Sequence, residues 1–595
     1  MRKRLIRLTA ACLALCMLSG CAEESSVTLG EDGQIETVRQ AETVTAFQFS
    51  ASGIVHAAQR FLPEYSQLAM TAPEGAVIRY TLDGSVPDAD SAAYTEPIVL
   101  EQVVSDFPNC TVLRAKAYFA DGTESRTATQ TFWTSIDINA RFLNNIISVA
   151  GDPKEITEGP DGIFYGKNVK QRGRASERAV SVEMVDKKGA LLFAQDAGMR
   201  VFGAASREAS LKSMKLFARK EYDPDHGKFD YDFGTAAADG ETVSSYDKLV
   251  LRNGGNDFQF AFIRDELNQV LAKGSGAVDC EAVQPIVVYL NGSYYGLYWL
   301  HETICDDLLK DKYGGKGQGD YMVLEGRERE KSVPEDDPEE ARAAEEFNET
   351  YTALSGLDLT DNAIYAQVCD FLDVENYINY YALNIYLNNR DWPQNNQKCY
   401  RFVPAEGQSA GEGRLDGRWR FWFHDMDYAE GLYEQDETQA RYNNLAEIMK
   451  PDSERYSPLF TALMQREDCK NAFVAEVTRL AEGVCTADHI KETVDSMNTE
   501  RFIEMRRYFD YLEKLKETDS SIWIWYKGYN DQTNIVKYFA EKRPDYMKKY
   551  LAAAFGEPAV TESAAPAETT APAAETTAVS DMTTTLPAEQ TTQAE

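Results

Sequence analysis

The sequence predicts an α+β protein in which a small β domain precedes a larger domain made of a β-rich lobe and then a helical lobe. Short strand-like runs ending at Asp-Gly turns cluster between Pro73 and Trp133, and a strong hairpin pattern surrounds Asn291-Gly292. From Tyr351 onward the apolar residues recur mostly at helical spacing. With 595 residues and 43% hydrophobic content, the chain has material for a sizeable core and roughly two to four domains.

Residues 1–20 read as a lipoprotein signal peptide. Arg2, Lys3, Arg4 and Arg7 precede an apolar run from Leu8 to Leu18. Leu18-Ser19-Gly20-Cys21 is similar to the bacterial lipobox, which implies a lipid on the Cys21 thiol and an extracytoplasmic protein held at the cell membrane. No later stretch is apolar over 18 residues, so tethering is expected and spanning is not. Residues 21–64 are polar and read as a tether. From 557 to 595 the chain is almost wholly Thr, Ala, Pro, Glu and Ser without Lys or Arg, a composition that predicts disorder.

Between these ends lies most of the acid excess, because the leader contributes only four basic residues to a total of 61 basic against 96 acidic. Such a surface repels phosphate backbones, so no nucleic-acid partner is expected, and basic proteins are favoured. The seven cysteines after Cys21 are far apart and form no CxxC, and the five histidines are scattered. A structural zinc site is therefore not expected; buried free thiols are, with one or two disulfides as the alternative.

Residues 65–135 read as a small β-sandwich. Val77 to Leu82 runs into Asp83-Gly84, and Val112 to Phe119 runs toward Asp121-Gly122. Ile78-Arg79-Tyr80-Thr81-Leu82-Asp83-Gly84-Ser85-Val86-Pro87, Tyr94 and Leu113-Arg114-Ala115 resemble the chitobiase C-terminal domain, which implies an accessory module for spacing or for polysaccharide or cell-wall contact.

In the larger domain, 142–556, Ile286 to Leu290 and Tyr294 to Leu300 form a hairpin around Asn291-Gly292, which accepts the positive φ of a type I′ turn. Phe258, Phe262, Leu267, Val270 and Leu271 suggest a helix ended by Gly274; Val374, Tyr377, Ile378, Tyr381 and Ile385 suggest another running toward Asp391. No GxxxxGK[ST] or GxSxG occurs, and Gly315-Lys316-Gly317-Gln318-Gly319 lacks nucleotide-fingerprint spacing and reads as a mobile loop.

What remains is a carboxylate and amide cluster, Asn388 to Asn396, followed by His424-Asp425-Met426-Asp427. Two strand-like runs, Lys398 to Val403 and Arg418 to Phe423, separate them. Paired as an antiparallel hairpin with strands ~4.8 Å apart, they would bring Asn396 beside Asp425. A helix, a loop Asp with an Asn five residues later, a hairpin and another Asp suit phosphoryl transfer, which needs oxygen ligands for metal ions and one carboxylate to orient a hydroxyl.

Over 142–556 the chain resembles the CotH kinase family, secreted or coat-associated atypical protein kinases first recognised in spore coats. The resemblance rests on Met199 to Gly203, Ser206-Arg207 and Leu211 to Leu216; on Leu251-Arg252-Asn253 with Ile263-Arg264-Asp265; and on Tyr289 to Tyr298 with Glu302. Asn388 to Asn396, Trp422 to Asp427 and Arg543-Pro544 complete it. It implies a reduced protein-kinase-like, two-lobed fold that uses ATP with Mg2+ or Mn2+ to phosphorylate Ser. By motif position Asp391 would orient the acceptor hydroxyl, Asn396 and Asp425 would bind metal, and Asp427 would add a contact or orient its neighbour. Lys212 is the first choice for the phosphate-binding lysine, with Lys215 its competitor; Arg264 and Glu302 hold further cofactor-side motif positions. The alternatives are a non-catalytic adhesion or assembly module on the same scaffold, or transfer of AMP in place of phosphate.

Overall fold

The computed structural model describes residues 25–29, 35–39 and 42–556, apart from 101–106, 136, 329, 333–337, 434–439, 520–521 and 523–528. Cys21, the signal peptide and the Thr/Ala/Pro/Glu tail lie outside the described residues.

The N-terminal β domain is a sandwich of a five-stranded and a four-stranded sheet. It starts earlier than its sequence suggests. Thr43–Ser50 and Gly53–His56, within the expected tether, pair with each other, and Thr43–Ser50 also pairs with Gln67–Thr71. Thr43–Ser50 buries Val44 and Ala46 and, past a register shift, Phe47 and Phe49, a signal hidden among the polar residues of that stretch.

The sandwich is seated on the lobe that follows it. Trp133 meets Tyr289 edge-on at 6.0 Å, Glu183 takes the Thr131 amide at 2.7 Å and ion-pairs with Arg60, and Thr131 Oγ1 bonds Ser148 Oγ at 2.9 Å. A Cβ on Gly84, at φ 90°, would come 2.3 Å from the Asn291 side chain.

The β-rich lobe is a closed barrel of seven strands: β1 (Asn145–Ala150), β2 (Arg178–Val185), β3 (Leu191–Val201), β4 (Met214–Phe217), β5 (Lys248–Arg252), β6 (Val283–Leu290) and β7 (Ser293–Glu302). Neighbours run β1-β2-β3-β4-β5-β7-β6, and β6 closes onto β1 in parallel. Asn291 and Gly292, at φ 47° and 79°, make the expected turn between β6 and β7. The only helix of eight or more residues between barrel strands, among the described residues, is α1 (Arg264–Ser275). Phe258 and Phe262 lie before it, because the Asp257 carboxylate collects the amides of Ala261, Ile263 and Arg264 and delays the helix start. Gly274 stays helical, and Gly276, in the left-handed conformation, ends α1.

The helical lobe holds a three-stranded sheet, β8 (Gly319–Gly326), β9 (Gln397–Pro404) and β10 (Arg420–Trp422). Its helices include α2 (Pro338–Ser355), which packs on β8, α3 (Asn362–Phe371), α4 (Val374–Tyr386), which packs on β10, α5 (Glu467–Glu482) against α4, and α6 (Ala487–Lys516), which pairs with α7 (Tyr529–Phe555) and reaches barrel strand β7. The glycine run before β8 is a packed turn: a Cβ on Gly315 would lie 2.7 Å from the Phe402 ring. No described helix is long and apolar enough to cross a membrane.

Candidate active site between the lobes

Helix α4 aims the candidate site. Asp373 caps its start by accepting the Asn376 amide at 3.1 Å, and its length is almost wholly buried. At its far end the fully buried Arg543 of α7 donates to the carbonyls of Ile385 (2.6 Å), Tyr386 (2.7 Å), Tyr442 (2.8 Å) and Ala440 (2.9 Å). Carbonyls at a helix C-terminus lack partners within the helix, so this one guanidinium fixes where α4 stops. The chain then turns at Asn388 into the loop carrying Asp391.

That loop is held from three sides. Its Asn389 side chain accepts the Asp391 amide at 3.2 Å, Trp392 Nε1 donates to Tyr380 Oη at 2.8 Å, and Arg455 donates to the carbonyls of Asn389 and Trp392. Asp391 accepts Asn395 Nδ2 at 2.8 Å on one oxygen and Asn396 Nδ2 at 2.9 Å on the other. Because Asn396 donates through its amide nitrogen, its Oδ1 is left for a cation. Burial raises the Asp391 pKa; the Asn395 bond opposes that and the nearby Asp425 charge adds to it.

The β9–β10 hairpin has the expected register, with Lys398 opposite Trp422 and Cys399 opposite Phe421. Following that register one strand end runs into Asn396 and the other into His424 and Asp425, which is why 29 positions of sequence collapse to a short distance. Asn388, Asn396, Asp425, Glu430 and Tyr433, five of the eight non-glycine residues described with positive φ, lie on these loops. Asn and Asp tolerate that conformation better than other side chains, and strained backbone gathers where side chains must be aimed.

Asp425 and Asp427 share a partner, Arg252 at the end of β5. Its Nη2 lies 2.5 Å from Asp425 and 2.9 Å from Asp427, and its Nε lies 3.0 Å from Asp265. Asp427 also receives Asn256 N at 2.8 Å and Asn256 Nδ2 at 3.0 Å. Burial would raise Asp425, but Arg252, then His424 and Lys398, carry it below the ordinary carboxylate range. Asp427 is pushed well above that range by burial and by the charge of Asp425. Behind them runs a buried chain: Glu266 to His301 (3.2 Å), His301 to Glu281 (3.0 Å) and Glu281 to His424 (2.9 Å). His301 is raised to about 9, since its two carboxylate partners outweigh burial.

The candidate residues therefore divide. Asp391, Asn396 and Asp425 come together. Asp427 lies beside them with Oδ2 bonded by Arg252 Nη2 and the Asn256 amide and Oδ1 by Asn256 Nδ2. Lys212 is corrected: its buried ammonium donates to the carbonyls of Arg207 (2.8 Å) and Ala209 (2.6 Å) and braces that loop. Lys215, on β4, faces the helical-lobe sheet, within electrostatic reach of Lys398 and Glu325, and is lowered to about 8 by burial and by the charges of Lys398 and Lys248. Arg264 is fully buried in an ion pair with Asp257, and Glu302 accepts Ala282 N at 3.0 Å and Thr235 Oγ1 at 3.0 Å. Both are closed off from solvent, at 0% and 1% exposed.

Sequence reasoning missed three contributors. Arg252 stood in a matched motif without a role, and its position at a strand end facing two later aspartates was the available signal. Lys398, which acts on both Lys215 and Asp425, follows from the hairpin register. Arg455, in a polar loop, had no signal.

A β-barrel lobe and a helical lobe meet where a loop aspartate, an amide and a second aspartate gather. The family model for CotH kinase protein matches residues 199–547, more than half of the chain, and the protein belongs to that family. A second model, Fn3 associated, matches residues 67–132 within the sandwich. No curated protein matches the chain.

Proposed function

We propose that the protein is an ATP-dependent serine protein kinase using Mg2+ or Mn2+, exported and lipid-anchored at Cys21, with basic surface or secreted proteins as substrates. The observation that carries this reading is the junction itself, where Asp391, Asn396 and Asp425 converge while Lys215 and Lys398 supply positive charge from the two lobes.

The residues fit a hard cation. Asn396 Oδ1 and the Asp425 oxygen not bonded to Arg252 are oxygen donors, and Asp425 keeps its negative charge. Asn396 and Asp425 would hold a divalent ion, whose charge would offset that developing on the transferred phosphate. Asp391, desolvated and held by two amide donors, would accept the hydrogen of the acceptor Ser hydroxyl; the seryl oxygen forms its bond to the γ-phosphorus as the β–γ bridging bond breaks and ADP leaves. Lys215 would hold phosphate oxygens from the barrel side.

Transfer of labelled phosphate from ATP to Ser-containing basic peptides, or to the protein itself, tests the proposal. Asp391→Asn should lower the transfer rate about 10^2- to 10^4-fold and change ATP affinity little. Asp425→Asn should weaken metal-dependent ATP binding. A wild-type protein that binds metal and ATP yet transfers nothing would be a non-catalytic surface module, and an AMP adduct detected by mass would make it a nucleotidyl transferase.

A further inference from the structure

We propose that Arg252 acts as a built-in cation that takes the place of a second metal ion, so that this site binds one divalent cation per nucleotide. The inference rests on the phosphotransfer reading and concerns how the chain's own residues divide the work of charge neutralisation.

Two aspartates two residues apart, Asp425 and Asp427, could in principle hold two ions, as kinase-type sites commonly do. Arg252 prevents that here. Its side chain is only 8% exposed and Asp427 only 3%, whereas Asp425 remains 23% exposed. The guanidinium sits between the three carboxylates of Asp265, Asp425 and Asp427 at 3.0, 2.5 and 2.9 Å. Asn256 supplies Asp427 with two more donors.

Space agrees with charge. Gly255, at φ 57°, approaches so closely that a Cβ there would fall 1.8 Å from Asp427 Oδ2. A Mg2+ ion needs about six oxygens at roughly 2.1 Å and keeps several waters. Asp427 Oδ2 already takes Arg252 Nη2 and the Asn256 amide while Oδ1 takes Asn256 Nδ2, and a dication placed there would meet the fixed positive charge of Arg252. On the opposite side, Asn396 Oδ1 and the Asp425 oxygen not bonded to Arg252, on a side chain 23% exposed, are the donors for one ion with phosphate oxygens and water. An arginine cannot be deprotonated at physiological pH, so this half of the charge compensation is permanent.

Counting bound Mn2+ decides the matter. The full chain, saturated with a non-hydrolysable ATP analogue, is titrated with Mn2+ and followed by electron paramagnetic resonance. One bound ion per chain, with no spin coupling between ions, is expected. Two ions, coupled at the ~4 Å spacing of two-metal sites, would overturn the inference while leaving the kinase reading intact. Binding of the analogue with no Mn2+ would instead sink the metal-dependent reading itself. Arg252→Gln, checked for folding by circular dichroism, should raise the count from one to two, and a folded variant that still binds one ion overturns the role given to Arg252. If that variant does not fold, the wild-type count alone decides.

Discussion

Lys215 offers the sharpest test of whether the barrel lobe contacts nucleotide. Its ammonium is lowered to about 8 by burial and by two neighbouring lysines, Lys398 and Lys248. A phosphate group arriving beside it would favour the charged form, so binding takes up a proton above pH 8. The sign follows directly: affinity is full below pH 8 and falls as the free protein loses the proton. With a free-state value near 8, about nine-tenths of the lysine is charged at pH 7 and about one-tenth at pH 9, so ATP affinity should drop about tenfold between them. Calorimetric titration with Mg2+ and a non-hydrolysable analogue at both pH values measures this. Lys215→Arg, which stays charged, should flatten the profile with affinity retained; Lys215→Met should flatten it at a lower affinity. A wild-type affinity that does not change from pH 7 to pH 9, or a Met variant that keeps the wild-type slope, would refute the assignment. The same depressed pKa has a consequence for folding. An unfolded lysine titrates near ~10.4, so between about 8 and that value the unfolded chain binds more protons and stability rises with pH. Lys215→Met should therefore melt at a higher temperature than wild type at pH 7.

Three further outcomes are expected. Arg543→Met removes the donor of two carbonyls at the end of α4 and of two more in the 440–442 loop and should cost at least about 3 kcal/mol in urea unfolding; a loss under about 1 kcal/mol would show that water replaces the guanidinium. Gly84→Ala forces a Cβ against Asn291 at a residue with φ 90° and should destabilise by about 1–3 kcal/mol, with faster amide exchange in Thr131 and Ser148 at the sandwich–barrel contact; unchanged exchange there would mean the contact is not held by this approach. Cys21→Ala should release the protein from membrane fractions to the medium, and unchanged fractionation with no lipid on the mature N-terminus would remove the anchor.

The loop from Asn388 to Asn396, the hairpin behind it and Asp425 were legible in the sequence because each rests on local signals. A buried helical stripe, two strand-like runs and residues that tolerate positive φ determine that Asn396 and Asp425 meet, since antiparallel register converts sequence position into distance. The helix read from Phe258 shows the limit of the same logic. Apolar spacing continued upstream, but the Asp257 carboxylate, a tertiary partner of Arg264, took the amides that would have extended the helix.

What only the tertiary structure decided is which charged side chains are available. Lys212 and Lys215 are three residues apart in the same motif, and nothing local separates them. The fold does, by curling the Arg207–Ala209 carbonyls around one ammonium and turning the other toward Lys398 and Glu325. Likewise Asp425 and Asp427 are equivalent on paper; Arg252, 173 positions before Asp425, pairs with both, and Asn256 closes over Asp427 alone, leaving Asp425 the more exposed. Composition and periodicity determine where chains pair and bury. The state of a buried charge depends on which distant dipoles and ions surround it, and those are set only when the whole chain closes.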